Sequence, residues 1–271
     1  MEAMPILEAQ GLRKSFGAVT AAWDISAAIR KDTVVGLIGA NGAGKTTFIN
    51  MITGYLKPSS GTIHFQGRDI TPLPPREITR LGVCRSFQIP QLYDSLSVED
   101  NILVGLGIVS RMSKKSLFSR APRHIPGHQG SAPEVAESIM ERFSLIDYRD
   151  KPAHVLPGGI RKLLDIAMSM VGKPQIMMLD EPTSGINADQ KFDMMDMIME
   201  ALRVEGVTVL FVEHDMDIVS RYSDRILAFY EGRVIADGGP DAVLSDSKVR
   251  QYVIGGDGKK KAGGGPGNAQ N

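Results

Sequence analysis

From Ile6 to Ile29 apolar and polar residues alternate, and the alternation breaks at Phe16-Gly17. A period of two puts every second side chain on one face of an extended chain, so the pattern predicts antiparallel strands with a turn between them. Thr33 to Ala40 (TVVGLIGA) is apolar almost throughout and predicts a buried strand running into a glycine-rich turn. Lys45 to Leu56 has helical spacing, and Pro58 closes that region. Gly61 to Gly67 (GTIHFQG) predicts a further strand with turns at both ends. From Ser97 to Met170 the spacing becomes helical, with Pro and Gly breaks, which predicts a mostly helical insert. The α/β alternation returns at Gln175. QIMMLD predicts a buried strand, Ala188 to Arg203 a helix, VTVLFVEH a strand and Asp215 to Arg221 a helix, and RILAFYEGRVIADG predicts a hairpin turning at Glu231-Gly232. Phe192, Met195, Ile198, Met199 and Leu202 share one stripe of the helix beginning at Ala188, a core face on which methionine serves as filler.

Composition narrows the picture only a little. The chain has 271 residues, 42% of them hydrophobic and 23% charged, which is ordinary for a globular protein with one large domain or two small ones. The formal net charge is zero, so the whole-chain balance gives no argument for a nucleic-acid partner. The lone cysteine, Cys84, permits no internal disulfide and reads as a small buried residue in a strand. The N-terminal MEAMPILEAQ does not resemble a signal peptide, and apolar stretches such as Ile102 to Val109 fall short of the roughly 20 residues of a spanning helix. The expectation is a soluble chain, with any membrane work left to a partner. Asn101 to Pro133 carries Arg111, Lys114, Lys115, Arg120 and Arg123 and no acid; it reads as a solvated loop or as a surface for anionic lipid or a membrane partner. His124 and His128 are spaced i,i+4, but Pro126 and Gly127 would break a helix between them, so no metal site is expected there. The glycine-rich tail from Asp257 to Asn271 is expected to be disordered.

The first chemical motif is GANGAGKTT, comprising Gly39, Ala40, Asn41, Gly42, Ala43, Gly44, Lys45, Thr46 and Thr47. It satisfies G-x-x-x-x-G-K-[ST] between a predicted strand and a predicted helix, the context that a phosphate-binding loop requires. The glycines let successive backbone N–H groups turn toward phosphate oxygens, and the helix adds its positive end. Lys45 would reach the β- and γ-phosphates of ATP, and the Thr46 hydroxyl would ligate Mg²⁺. Far downstream, IMMLDEPTSG ends a buried strand in Asp180, a carboxylate beside the loop that would hold Mg²⁺ directly or through water. Glu181 follows at once and points elsewhere, toward the γ-phosphate, where it could polarise an attacking water.

With SFQIPQL, LPGGIRK, PTSGIN and FVEHD added in that order, the chain resembles the nucleotide-binding subunits of ABC transporters from about Ile6 to Gly255. The resemblance implies an α/β fold, with a P-loop NTPase core, an antiparallel β subdomain and a helical subdomain at about 97–170, in one ATPase domain spanning 1–256. It implies that Phe16 stacks on adenine, that Gln88 senses the γ-phosphate or Mg²⁺, and that His214 contacts the γ-phosphate and holds the attacking water. Leu156 to Ile160 would be the signature segment, with Gly158 and Gly159 offering N–H groups to ATP held by an opposite subunit. Ser184 to Asn187 would cross the dimer interface. Pro157 and Ile160 stand where the family usually has serine and glutamine, and proline has no hydroxyl to donate. Asn187 stands where an aspartate is commoner.

KSFGAVTAAWDIS, VCRSFQIPQLYDSLSVEDN, the proline in the signature, PTSGIN and VEHDMDIVSRYSDRI are most similar to the branched-chain (hydrophobic) amino-acid uptake ATPases. That resemblance implies two transmembrane permeases, a second ATP-binding subunit and, indirectly, a periplasmic solute-binding protein, with this chain peripheral on the cytoplasmic face of the inner membrane and no nucleic-acid partner. The solute, a branched-chain amino acid or instead an amide, urea or an aromatic acid, would be chosen by those other subunits. Two readings stay open beside it: an exporter ATPase, and a soluble ABC ATPase with no permease.

Overall fold

The computed structural model describes residues 4–86, 91–113 and 127–255, except for the side chains of 111–113. Gln88, His124, the basic residues from 114 to 123 and the tail from 257 therefore lie outside the described residues.

The alternating N-terminal stretch forms β1 (Leu7–Phe16) and β2 (Val19–Ile29), paired antiparallel. The apolar run that follows is β3 (Val34–Gly39), leading through the glycine-rich turn into α1 (Lys45–Ile52). That helix stops four residues short of the predicted Leu56. Gly54, at φ 77°, takes the left-handed conformation that ends helices, and the Thr53 hydroxyl closes the last turn onto the Ile49 carbonyl at 2.8 Å. Next come β4 (Ser60–Phe65), the two-residue β5 (Arg68–Asp69), α2 (Pro75–Arg80) and β6 (Val83–Arg85). Among the described residues, the next part of the chain holds the α-helices α3 (Val98–Ser113), α4 (Ala132–Arg142) and α5 (Gly158–Met170). The alternation then resumes with β7 (Ile176–Asp180), α6 (Lys191–Val204), β8 (Thr208–Val212), α7 (Met216–Tyr222), β9 (Arg225–Tyr230) and β10 (Arg233–Gly238). The helix predicted from Ala188 starts at Lys191, because Gln190 donates to the Asn187 carbonyl in a turn before it.

Two sheets result. One is antiparallel, with order β2-β1-β4-β5; the other has order β10-β9-β3-β8-β7-β6, parallel except for β10. The parallel strands separate two cores, which is why they read as unbroken apolar runs. Val209 and Phe211 of β8 face the helical core with Met177 and Leu179 of β7, while Leu210, Val212, Ile176 and Met178 face the core under the antiparallel sheet. Met195, Ile198, Met199 and Leu202 of α6 are buried in the first core, with Phe192 packed at its margin. Cys84 is buried in β6, and burial raises its thiol pKa to about 12. The β9–β10 hairpin turns at Glu231 and Gly232, both at positive φ (47° and 74°), the two-residue turn whose twist suits an antiparallel pair. Among the described residues no helix is long and apolar enough to cross a membrane.

Candidate nucleotide site

Strand register brings the two sequence motifs together. Leu37 of β3 lies opposite Val212 of β8, and Val212 lies opposite Asp180 of β7. Leu37, Val212 and Asp180 are therefore level, with β3 running two residues further to Gly39, and the loops after Gly39, Asp180 and Val212 leave the sheet at its carboxyl end, the usual place for a ligand in an open parallel sheet.

The loop after β3 demands glycine at two close approaches. At Gly39 (φ 152°) an added Cβ would lie 2.5 Å from the Phe229 carbonyl oxygen, and at Gly44 (φ 108°) it would lie 2.8 Å from that of Ala21. The Lys45 ammonium is buried and donates to the carbonyls of Gly39 (2.5 Å) and Ala40 (3.2 Å), closing the loop on itself. Burial lowers the Lys45 pKa from its ordinary value, and the carboxylates of Glu181 and Asp180 oppose that shift. Ala40, Asn41, Gly42 and Thr46 are exposed, Thr47 is half-buried and Ala43 is buried. The first turn of α1 carries no acid and no side-chain cap, so its positive end faces the loop uncompensated.

Asp180 is buried at the end of β7 and pairs through Oδ2 with Arg85 Nη2 at 2.5 Å, both side chains being 9% exposed. Arg85 Nη1 also donates to Asn50 Oδ1 of α1 at 2.5 Å. The sequence reading missed Arg85 and Asn50; the available signal was a charged residue ending the short apolar stretch Val83-Cys84. Removing one partner of a buried pair strands the other, at a cost of about 3–5 kcal/mol. Arg85→Ala should therefore lower Tm by roughly 10 °C, as measured by thermal unfolding; an unchanged Tm would show that the pair does not stabilise the fold.

Glu181 sits beyond the strand at φ 49°, a left-handed conformation that costs a non-glycine residue energy. Its N–H donates to the Val212 carbonyl at 3.0 Å, and its carbonyl accepts from Lys162 Nζ of α5. Its Oε1 lies 3.2 Å from His214 Nε2, the two side chains being 23% and 46% exposed respectively. Glu213 is buried and braces both loops. Its Oε1 accepts from the Thr183 N–H (2.8 Å) and hydroxyl (2.7 Å), and its Oε2 accepts from the His214 N–H (3.2 Å). Neither Glu213 nor Lys162 was singled out in the sequence, since each acts through a residue distant along the chain. Gly39, Ala40, Asn41 and His214 line a cavity of about 810 Å³ together with Met216, Tyr230 and Tyr252.

Other predicted residues lie apart. Gly158 and Gly159 open α5 and share a second cavity with Gly185, Ile186 and Asn187, away from Lys45. Phe16 ends β1, 53% exposed, with Lys14 Nζ 5.5 Å from its ring centroid. Beyond the segment that holds Gln88, the Gln91 N–H donates to the buried Asp165 of α5 at 3.0 Å. Among the described residues no cluster of three His, Cys, Asp or Glu is placed to hold a metal ion unaided. Asp180 and the Thr46 hydroxyl are hard oxygen donors, too few for an all-protein site but suited to a Mg²⁺ whose other ligands are phosphate and water.

Comparison with known proteins matches the ABC transporter family model over residues 23–184. The high-affinity branched-chain amino acid transport ATP-binding protein LivG of Salmonella typhimurium is 35% identical over 257 residues, covering 93% of this chain and 98% of the relative. BraF of Pseudomonas aeruginosa, which carries the same description, is 34% identical with the same coverage. A crystal structure of an ABC transporter's ATP-binding cassette in its ADP conformation superposes with a TM-score of 0.77 at 33% identity, covering 92% of this chain and 98% of that one. A nucleotide-free cassette gives 0.76 at 33% identity and the same coverage.

Proposed function

The chain belongs to the ABC transporter ATP-binding family, and from that premise we propose that it hydrolyses ATP to power a membrane importer for branched-chain or related amino acids. Its fold is that of the ABC ATPase cassettes. The observation that carries the catalytic reading is that β3, β7 and β8 are parallel and in register, so the segments carrying Lys45, Asp180, Glu181 and His214 follow their shared carboxyl end. In this reading the N–H groups of residues 39 to 47 cradle the phosphates. Lys45 exchanges its hold on the Gly39 and Ala40 carbonyls for β- and γ-phosphate oxygens. Thr46 and Asp180, with Gln88, would hold Mg²⁺, and the ion would supply positive charge against the phosphates. Glu181 accepts a proton from the water that attacks the γ-phosphorus in line with departing ADP, and His214 orients that water. Phe16 stacks on the adenine.

Gly158 and Gly159 line a different cavity from Gly39, Ala40 and Asn41, which supports their offering N–H groups to ATP held by a second ATP-binding subunit. Two ATPs closed between two such subunits would move a pair of permeases, and a periplasmic solute-binding protein would deliver the solute. Helices α3, α4 and α5 belong to the helical subdomain, at about 97–170, of the single ATPase domain 1–256, and the chain is peripheral on the cytoplasmic face of the inner membrane. The names of LivG and BraF support the amino-acid solute over an exporter's cargo. The test is uptake of radiolabelled leucine, isoleucine and valine by source cells lacking this chain. Uptake should fall to background and return when the chain is restored; unchanged uptake of all three would overturn the solute assignment.

A further inference from the structure

We propose that Lys162 is a positioning residue that fixes the backbone of Glu181 and thereby ties this subunit's own hydrolytic base to the helix that reaches the partner's nucleotide. The inference rests on the catalytic reading of Glu181 given above and goes beyond it. Glu181 departs from β7 in a left-handed conformation that its neighbours must hold in place. One hold is the Val212 carbonyl, which accepts the Glu181 N–H at 3.0 Å and belongs to the sheet. The other is Lys162, whose ammonium donates to the Glu181 carbonyl and belongs to α5. The peptide that carries the base is therefore gripped from two different elements.

The α5 end of this grip is well anchored. Arg161, the residue before Lys162, donates from Nη1 to the Ala153 carbonyl at 2.5 Å and from Nη2 to Asp94 Oδ1 at 2.7 Å, fixing the first turns of the helix. Lys162 is half-buried, and burial lowers its pKa, while Glu213, Glu181, Asp180 and Asp165 each oppose that shift. A cation among four carboxylates also softens the repulsion between a carboxylate base and an incoming polyphosphate. The same helix begins with Gly158-Gly159, and at Gly159 an added Cβ would lie 3.2 Å from Ile186 Cδ1 of the 184–187 loop. A shift of α5 when Gly158 and Gly159 engage a second nucleotide is transmitted to the Glu181 peptide through one side chain.

The test uses the chain assembled with its membrane partners and compares Lys162→Met, an unbranched side chain one atom shorter and without charge, with Lys162→Arg. Misplacing a catalytic group by about 1 Å can cost on the order of 10²-fold. Lys162→Met should lower kcat by about 10- to 100-fold while ATP KM stays within about twofold, and Lys162→Arg should restore most of the rate. In a Glu181→Gln background, Lys162→Met should add less than about a twofold further loss, because the group it positions is already gone. Wild-type kcat in Lys162→Met with Glu181→Gln inactive would overturn the proposal and leave the base assignment standing. Wild-type kcat in Glu181→Gln would instead overturn the base assignment. A loss in Lys162→Met that Lys162→Arg does not relieve, with ATP affinity falling in step, would mark a merely structural role and overturn the proposal. If Lys162→Met does not fold, Lys162→Gln is judged by the same criteria.

Discussion

Glu181→Gln is expected to bind ATP as well as the natural chain does and to hydrolyse it about 10²- to 10⁴-fold more slowly, the usual size of a general-base contribution. Glutamine has nearly the same shape and can still meet His214 Nε2, which lies 3.2 Å from Glu181 Oε1. The backbone contacts to Val212 and Lys162 are made by the N–H and C=O, which the substitution keeps. What disappears is the basic oxygen that, in the proposed mechanism, takes the proton of an attacking water. Loss of a negative charge near the γ-phosphate also removes a repulsion, so affinity should hold or rise. Equilibrium titration with ATP and steady-state phosphate release separate the two effects. Turnover at the wild-type rate would show that the proton goes to another group.

Lys45→Ala is expected to lose binding and hydrolysis together. The ammonium is buried and meets the carbonyls of Gly39 and Ala40, so its removal both deletes a phosphate contact and leaves two loop oxygens without their donor. Truncating one partner of a buried charged contact costs about 2–5 kcal/mol, a weakening of at least roughly 30-fold in ATP affinity. Isothermal titration with ATP reads the change directly. Affinity within about threefold of wild type would mean that backbone N–H groups alone carry the phosphate contact.

The two predictions draw on parts of the site that differ in how readable they are. The Lys45 loop was legible because its residue types, its spacing and the strand and helix around it sit within a few residues of one another. The unbroken apolar runs of β3, β7 and β8 were legible for a physical reason, since strands buried on both faces carry no polar side. The Glu231-Gly232 turn was legible because both positions need positive φ. Local pattern did worse where the backbone departs from regularity. The period-two alternation of β1 slips between Ala9 and Leu12, where the strand register shifts, and α1 ends early at a glycine that helical spacing does not announce. The contacts that brace the site were not legible at all. Arg85 reaches Asp180 across 95 residues of chain, Glu213 reaches Thr183 across 30 and Lys162 reaches Glu181 across 19. Such pairs exist only once the sheet has brought the ends of β6, β7 and β8 and the start of α5 together. Pro157, a departure at the sequence level, is accommodated as the residue capping α5 with φ −54°, a value proline favours.

The central claim is that this chain hydrolyses ATP on behalf of membrane proteins it does not contain. Its most direct test is to tag the chain, extract it from native membranes in mild detergent and identify what co-purifies. Two hydrophobic permeases and a second ATP-binding subunit are expected to accompany it. Recovery of the chain wholly in the soluble fraction, with no membrane protein attached, would contradict it.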